Sequence, residues 1–365
     1  MCMAGLLTGS GPALAGSGVS HQSGGRGVVN PQKSPWFTKL GNRDLECGLC
    51  PNQCRLEPGR RSLCGVRENR NGQGYTLAYG NPALIQEDRV ERKPFFHVVP
   101  GSRALSVSTA GCNLSCKFCE VWDMALVKPE DVHAYDMPPR EVVAQAARAG
   151  LRSVSFAFGE PVVFYEYMAE IAGLAREGGM LSLVHTAAYI RREPLDKLCK
   201  LIDAANIDLK GFDASFYREY VGGDIKPVLE SMVRMKQSGV HLEITSIVIP
   251  TLNDQPDKIR EMCQWIVREL GKDTPVHFAR FYPLYRLSGL PRTPVSTLDM
   301  ASRTAMEAGL EYVYVARVTG HKGENTFCPG CGNKVIARLG FIIDRMDIQE
   351  GRCGSCGHKL PGIWS

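Results

Sequence analysis

The sequence predicts an α/β fold in which parallel strands alternate with helices and the sheet curls into a partial or full (β/α) barrel. From about residue 101 to residue 320, short apolar strand patterns alternate with helical patterns whose apolar residues recur every three or four positions. Repeated strand–helix units of this kind build parallel sheets, with active groups at the carboxyl ends of the strands. Cysteines grouped before and after this region predict a small metal-binding module at each end.

The elements of the barrel can be placed one by one. The predicted strands are 104–108, 153–158, 181–185, 205–208, 242–249, 277–281 and 312–316. The predicted helices are 139–149, 165–177, 193–201, 225–238, 256–270 and 297–307. Five glycines follow helices at places where a left-handed residue commonly ends the helix: Gly150, Gly178, Gly239, Gly271 and Gly309.

The other segments differ from the barrel in composition. Residues 1–35 are rich in Gly, Ser and Ala and contain no acidic residue, so we expect a disordered or processed tail. An apolar stretch near residues 4–15 resembles the end of an export signal, which makes export the alternative to a cytoplasmic location. Residues 36–100 form a strand-rich lead-in module with four cysteines, and residues 321–365 form a carboxyl-terminal module.

Composition excludes several functional classes. The 365-residue chain has a net charge of +5 without a block of like charge, which gives no support for nucleic-acid binding. No run of eighteen apolar residues predicts a membrane span. Most of the 14 cysteines lie in short-spaced groups, which favour metal ligation in a reducing compartment such as the cytoplasm over a disulfide framework. The isolated Cys199 and Cys263 lie on helical patterns and are expected to be buried.

Three cysteines follow the first barrel strand with the spacing C-x3-C-x2-C: Cys112, Cys116 and Cys119. Three thiolates are one fewer than closed zinc sites and four-thiolate iron–sulfur sites use, so one metal position is left open for another ligand. Phe118 precedes the third cysteine and is placed to shield a cluster from water. The alternative is a fragment of a zinc knuckle, or three buried thiols.

Charged residues end two further strands. Gly159, Glu160 and Pro161 follow strand 153–158, and Asp208 and Lys210 lie two apart, on the same side of an extended chain. A structural carboxylate and an ordinary ion pair are the alternatives for these residues. Four more side chains at or near strand ends are weaker candidates for the pocket, and buried structural roles are the alternative for each: His185, Tyr189, Arg280 and Tyr282.

Two other cysteine groups supply four sulfurs each. The first, with nearby Gly and Pro, closes a tetrahedral site for zinc or, alternatively, for an auxiliary iron–sulfur cluster: Cys47, Cys50, Cys54 and Cys64. The second has two C-x-x-C pairs that bracket a strand-like segment, as in a zinc ribbon, with rubredoxin-like iron as the alternative: Cys328, Cys331, Cys353 and Cys356. Such a short segment depends on its metal, whose apparent binding free energy is about 10–16 kcal/mol.

The three-cysteine motif with its aromatic residue resembles the signature of the radical S-adenosylmethionine (SAM) enzymes. The resemblance implies a 4Fe–4S cluster on Cys112, Cys116 and Cys119 whose open iron chelates SAM. It also implies that Gly159-Glu160-Pro161 holds the amino group of SAM and that Phe118 borders the cofactor. Asp208 and Lys210 resemble a SAM-contacting pair of the pyruvate formate-lyase activating branch.

From about Glu46 to the carboxyl terminus, the chain resembles one group more closely, the radical SAM enzymes of the AmmeMemoRadiSam system. The matching segments are 49–51 with Cys54, 64–67, 91–94, 109–114, 249–254, 277–281, 320–326 and 361–364. Around the pocket the chain departs from that group, with Phe158-Gly159 where Tyr-Asn is expected and 185–189 where Ser-Asn-Gly-Tyr is usual. Glu120-Val121-Trp122 also replaces Gln-Asn-Trp. These departures lie around the pocket, so the resemblance does not predict the identity of the substrate.

The resemblance implies reductive cleavage of SAM to a 5′-deoxyadenosyl radical that abstracts hydrogen from a substrate, either a small molecule or a protein. An external low-potential donor of the flavodoxin or ferredoxin type is therefore an expected partner. The second interpretation is an activase that installs a glycyl radical on a partner enzyme. The third is a metal-binding scaffold with a vestigial cluster, against which the intact cysteine triplet and Glu160 argue.

Overall fold

The computed structural model describes residues 24–365. Its strands in chain order are β1 (Gly24–Arg26), β2 (Gln32–Lys33), β3 (Phe37–Lys39), β4 (Leu45–Cys47), β5 (Arg55–Leu56), β6 (Arg67–Arg70), β7 (Gln73–Thr76), β8 (Leu84–Arg89), β9 (Arg103–Ser108), β10 (His133–Tyr135), β11 (Ser153–Phe156), β12 (Leu181–Thr186), β13 (Ala204–Asp208), β14 (His241–Val248), β15 (Val276–Arg280), β16 (Val313–Ala316), β17 (Thr326–Phe327), β18 (Lys334–Leu339), β19 (Ile342–Met346), β20 (Ile348–Gln349) and β21 (Arg352–Cys353). Its helices are α1 (Trp122–Ala125), α2 (Pro139–Arg148), α3 (Tyr165–Glu177), α4 (Arg192–Leu198), α5 (Ala214–Phe216), α6 (Ile225–Gln237), α7 (Pro256–Leu270) and α8 (Val295–Glu307).

One eight-stranded sheet forms the body of the protein, in the order β16-β15-β14-β13-β12-β11-β9-β8. In this sheet β9 and β11 to β16 pair in parallel, whereas β8 is antiparallel to β9. Within the described residues β8 and β16 are the edges, so the sheet is a partial barrel and the predicted fold class is confirmed. The edge strand β8 was not among the predicted barrel strands, and its six residues lie in the predicted lead-in module.

The predicted barrel elements agree closely with the observed ones. All seven strands and six helices are present, and the largest error is at α4, which ends at Leu198 instead of residue 201. A glycine cap was also misplaced, because Gly178 has a negative φ and the left-handed residue is Gly179. The apolar pattern of the sequence predicted these elements correctly because the strands are buried on both faces and the helices on one. Cys199 and Cys263 are buried, as predicted.

The amino-terminal region builds small antiparallel sheets beside the barrel. β3, β4 and β5 form one sheet, β2, β7 and β6 form another, and β1 pairs with β10. Disorder is therefore not found for residues 24–35, because β1 and β2 pair with strands far along the chain, while processing of this tail stays a prediction. The export-signal interpretation concerns residues 4–15, which lie outside the described residues.

The carboxyl-terminal module packs against the barrel. β17, β18 and β19 form an antiparallel sheet, followed by the short hairpin of β20 and β21. The Tyr314 hydroxyl of β16 lies 2.9 Å from the Thr326 hydroxyl of β17. The module also contacts the lead-in segment, where the Arg338 guanidinium donates a 2.9 Å hydrogen bond to the Phe96 carbonyl oxygen and lies 4.2 Å from the Phe96 ring centroid. In the described part of the chain, no helix has the length and apolar character needed to cross a bilayer.

Candidate active site

A cavity of about 480 Å³ opens at the carboxyl ends of the barrel strands. This volume lies in the range that small-molecule and cofactor sites occupy. Three parts of the chain contribute to its lining: the barrel, the lead-in residues Arg92 and Phe96, and the carboxyl-terminal residues Glu324, Gly340 and Phe341. The hairpin turn between β18 and β19 therefore closes one side of a pocket that the barrel begins.

The loop after β9 brings its three cysteines to this cavity: Cys112, Cys116 and Cys119. Backbone hydrogen bonds fix the loop, since Ser115 N donates to Val221 O at 3.0 Å. The Asn113 side-chain amide donates to the Tyr189 carbonyl oxygen at 2.7 Å. The loop is therefore held in place by the segments that follow β12 and α5.

The three thiols suit a metal cluster better than a single ion. Burial raises the pKa of Cys112 and Cys119, and it raises the pKa of Cys116 to about 11. A bound metal must displace these protons, because thiolates are the ligands. Among the described residues, the three sulfur atoms do not form a group within 4.8 Å of one another. At least one pair of these sulfurs is therefore farther apart than a single tetrahedral ion requires, whereas a cluster binds each thiolate through a different iron atom.

Glu160 is a buried carboxylate surrounded by donors. It caps the 3₁₀ turn Pro161–Phe164, and its Oε1 accepts hydrogen bonds from Val162 N at 3.1 Å and from the Thr186 hydroxyl at 2.5 Å. Oε2 accepts one from Ala187 N at 2.9 Å. Burial raises the pKa of Glu160, and these three hydrogen bonds act against that rise. A carboxylate oxygen accepts about two hydrogen bonds, so Oε2 retains acceptor capacity for a ligand.

Asp208, at the end of β13, has a side-chain nitrogen close to each of its oxygens. Lys210 Nζ lies 2.9 Å from Oδ2, and His185 Nε2 lies 2.9 Å from Oδ1. Burial raises the pKa of Asp208, but Lys210 and His185 outweigh burial and hold it well below its usual range. Burial lowers the pKa of Lys210, and Asp208 and Cys116 reverse this, so the ammonium stays charged. All three side chains line the cavity.

Several candidates from the sequence do not line the cavity. Pro161 starts the 3₁₀ turn behind Glu160. Tyr189 supports the cysteine loop through its carbonyl group. Arg280 Nε donates to the Thr293 carbonyl oxygen at 2.8 Å, and the Tyr282 hydroxyl donates to the Arg317 carbonyl oxygen at 3.3 Å. Phe118 and Gly159, in contrast, do line the cavity, and Phe118 is buried.

Sequence reasoning missed the contributions from outside the barrel. Arg92 lies within the segment 91–94 that carried part of the family resemblance, but the motif gave it no role. The Arg92 guanidinium lies 5.4 Å from the Phe158 ring centroid. Arg317 forms an ion pair with Glu120, one of the residues that depart from the group pattern. No sequence motif marked Phe341 as a site residue, because only tertiary packing brings its hairpin turn to the pocket.

The carboxyl-terminal cysteines form a second kind of site. Their sulfur atoms all lie within 4.8 Å of one another: Cys328, Cys331, Cys353 and Cys356. The sulfurs of Cys328 and Cys356 are 3.6 Å apart, and those of Cys331 and Cys353 are 3.8 Å apart. Zinc–sulfur bonds of about 2.3 Å in a tetrahedron place the sulfurs about 3.8 Å apart. This group is therefore arranged for a single tetrahedral ion.

Comparison with known proteins gives the family. A model of the radical SAM superfamily matches residues 106–266. An uncharacterized protein of Methanocaldococcus jannaschii is 38% identical over 331 residues, which cover 90% of this chain and 98% of that protein. A pyruvate formate-lyase-activating enzyme of Clostridium pasteurianum is 26% identical over 188 residues, covering 51% of this chain and 77% of that protein.

Solved structures are similar as well. SuiB from Streptococcus suis, in a crystal structure bound to S-adenosylmethionine, has a TM-score of 0.47 at 14% identity. The match covers 64% of this chain and 53% of that chain. The chain is an enzyme that belongs to the radical SAM superfamily, in its pyruvate formate-lyase activating enzyme-like branch.

Proposed function

We propose that this enzyme binds a 4Fe–4S cluster through Cys112, Cys116 and Cys119, cleaves SAM and abstracts hydrogen from a substrate with the resulting radical. The observation that supports the proposal is convergence on one cavity. The three widely spaced cysteines, the donor-rich Glu160 and the pair of Asp208 and Lys210 come from separate strand ends and line the same space.

Different residues of the cavity are suited to binding different parts of the cofactors. When bound, the cluster supplies the electron that splits SAM into methionine and a 5′-deoxyadenosyl radical. The free acceptor capacity of Glu160 Oε2 suits the amino group of SAM, which carries a positive charge. The Lys210 ammonium donates one hydrogen bond to Asp208 and has two further N–H groups available to polar groups of the cofactor. His185 fixes the other oxygen of Asp208 and thereby orients the pair.

Aromatic side chains in the lining limit the access of water to the site. Phe118 and Phe96 are buried, and Phe158 and Phe341 complete the apolar lining. A radical that abstracts hydrogen requires such exclusion, because side reactions with solvent compete with the substrate. The hairpin turn that carries Phe341 belongs to the carboxyl-terminal module, so we assign that module a part in shaping the substrate pocket.

The test is anaerobic reconstitution with iron and sulfide, followed by chromatographic assay of 5′-deoxyadenosine formed from SAM with dithionite. We expect product from the wild type and none from Cys119→Ala. Cys199→Ala is the matched control, because its thiol lies at the end of α4, away from the cavity. Loss of product in both variants, or in neither, contradicts the assignment of the cysteine triplet.

The wider setting follows from the resemblance to AmmeMemoRadiSam enzymes. We assign the protein to such a system, with a low-potential donor of the flavodoxin or ferredoxin type and a small-molecule or protein substrate. None of the described cysteines is paired in a disulfide bond, which suits a reducing compartment such as the cytoplasm. A glycyl-radical activase is the second candidate, favoured by relatives with that activity in their names. The appearance of a glycyl radical on an added partner enzyme distinguishes it.

A further inference from the structure

A second cysteine group lies beside the active-site loop and outside the cavity: Cys47, Cys50, Cys54 and Cys64. Four thiolates are able to close either a single-ion site or an iron–sulfur site. We propose that these residues hold an iron–sulfur cluster and not a zinc ion. The inference goes beyond the proposed SAM cleavage, since it concerns a different set of ligands.

The distances between sulfur atoms separate the two occupants. The carboxyl-terminal group shows what this chain builds for a single ion, with sulfurs 3.6 and 3.8 Å apart across the group. In the described residues, no three sulfurs of the amino-terminal group lie within 4.8 Å of one another. A tetrahedral ion with bonds of about 2.3 Å requires closer sulfurs than this. In an iron–sulfur cluster each cysteine sulfur binds a different iron atom, so the sulfurs lie farther apart than around a single ion.

The four cysteines nevertheless face a common centre. They line one small cavity, together with Arg67, Asn113, Val162 and Val163. The wide spacing is thus not a sign of four unrelated thiols, because a shared cavity lies between them.

The surroundings of the cavity supply donors to sulfur. The Ser62 hydroxyl lies 3.0 Å from the Cys64 sulfur, and nearby backbone amides lower the pKa of Cys47, Cys50 and Cys54 against the opposing effect of burial. Arg67 is buried and forms an ion pair with Glu166 at 2.6 Å, yet its Nε has no partner among the described atoms. Hydrogen bonds to sulfur and burial are the means by which proteins set the potential of iron–sulfur clusters.

This cavity adjoins the loop of the SAM site. Asn52 Nδ2 donates to the Asn113 carbonyl oxygen at 2.8 Å, and a Cβ built on Gly111 would lie 2.8 Å from the Cys64 carbonyl oxygen. Zinc at this place would be redox-silent, whereas an iron–sulfur cluster accepts an electron from a reductant such as dithionite. The occupant therefore decides whether the SAM site has a redox-active neighbour.

The test uses a variant that lacks the other cluster ligands: Cys112→Ser, Cys116→Ser and Cys119→Ser combined. The protein is reconstituted anaerobically with iron, sulfide and zinc present together, and bound metal and acid-labile sulfide are measured. We expect iron and sulfide in equal amounts, with about one zinc per chain. About two zinc per chain without iron would overturn the proposal.

Two further variants assign each metal to its ligands. Adding Cys50→Ser to the triple variant is expected to remove the remaining iron, while Cys331→Ser with Cys356→Ser is expected to remove zinc and leave the iron. If the Cys50→Ser protein does not fold, electron paramagnetic resonance of the triple variant still decides. A signal after one-electron reduction by dithionite supports the cluster, and a silent sample contradicts it. Neither readout depends on SAM, so failure here is distinct from failure of SAM cleavage.

Discussion

The contact between Gly111 and the amino-terminal module gives a stability prediction. Gly111 has a φ of +99°, and an added Cβ would lie 2.6 Å from Val66 Cγ1 and 2.8 Å from the Cys64 carbonyl oxygen. Left-handed backbone costs a residue with a side chain about 1–2 kcal/mol, and overpacking costs about 1–3 kcal/mol. Gly111→Ala is therefore expected to lower the free energy of unfolding by about 2–5 kcal/mol.

Gly239→Ala is the matched control. Gly239 has a φ of +82°, but its added Cβ would meet no atom within 4 Å, so only the backbone term of about 1–2 kcal/mol applies. Urea unfolding of the anaerobic holoproteins, followed by circular dichroism, compares the two. Equal losses in both variants would show that the packing between the active-site loop and the cysteine module contributes nothing, and would refute the reasoning.

Three other predictions follow from single residues. Glu160→Gln places an amide against backbone donors and removes charge-assisted hydrogen bonds worth about 1.5–3 kcal/mol, so the affinity for SAM should fall about 10- to 100-fold. Equilibrium dialysis measures this affinity, and an unchanged value would contradict the role of Glu160. Glu177→Gln, on the exposed end of α3, is the control. Burial lowers the pKa of His97 to about 3. As the pH falls below about 6.5, this histidine is protonated in the unfolded chain but stays neutral in the folded chain, so the free energy of unfolding decreases. The difference in stability between wild type and His97→Asn should therefore shrink by about 2 kcal/mol from pH 8 to pH 5 in urea titrations, and a pH-independent difference would show that His97 does not stay neutral. Cys331→Ser should release the ribbon metal and make residues 321–365 sensitive to trypsin, because the short module depends on that ion; unchanged protease resistance would mean that packing alone folds it.

The sequence was sufficient for the barrel because its signal is local. Apolar periods of two and three to four reflect burial of strands and helices, and motifs at strand ends placed Cys112, Glu160 and Asp208 in one site. The edge strand β8 was missed because its residues are only partly buried and its partner is antiparallel. Periodicity gives no information about which strand of a lead-in pairs with the main sheet.

The rest of the site depends on tertiary contacts that no local pattern encodes. Arg92 and Phe341 reach the cavity from modules on either side of the barrel, and the partnership of His185 with Asp208 joins two strands. Tyr189 and Arg280 lie at or beyond strand ends, as the sequence indicated, yet their orientation and hydrogen bonds take them away from the cavity. Strand ends therefore predict the location of a site better than the direction of a side chain.

The central claim is that SAM binds against a cluster on Cys112, Cys116 and Cys119, and electron paramagnetic resonance tests it most directly. The reconstituted enzyme is reduced with dithionite and its spectrum is recorded with and without SAM. We expect SAM to change the spectrum of the wild type and to leave the spectrum of Cys119→Ala unchanged, including any signal from the amino-terminal group. A wild-type spectrum that is the same with and without SAM would contradict the account.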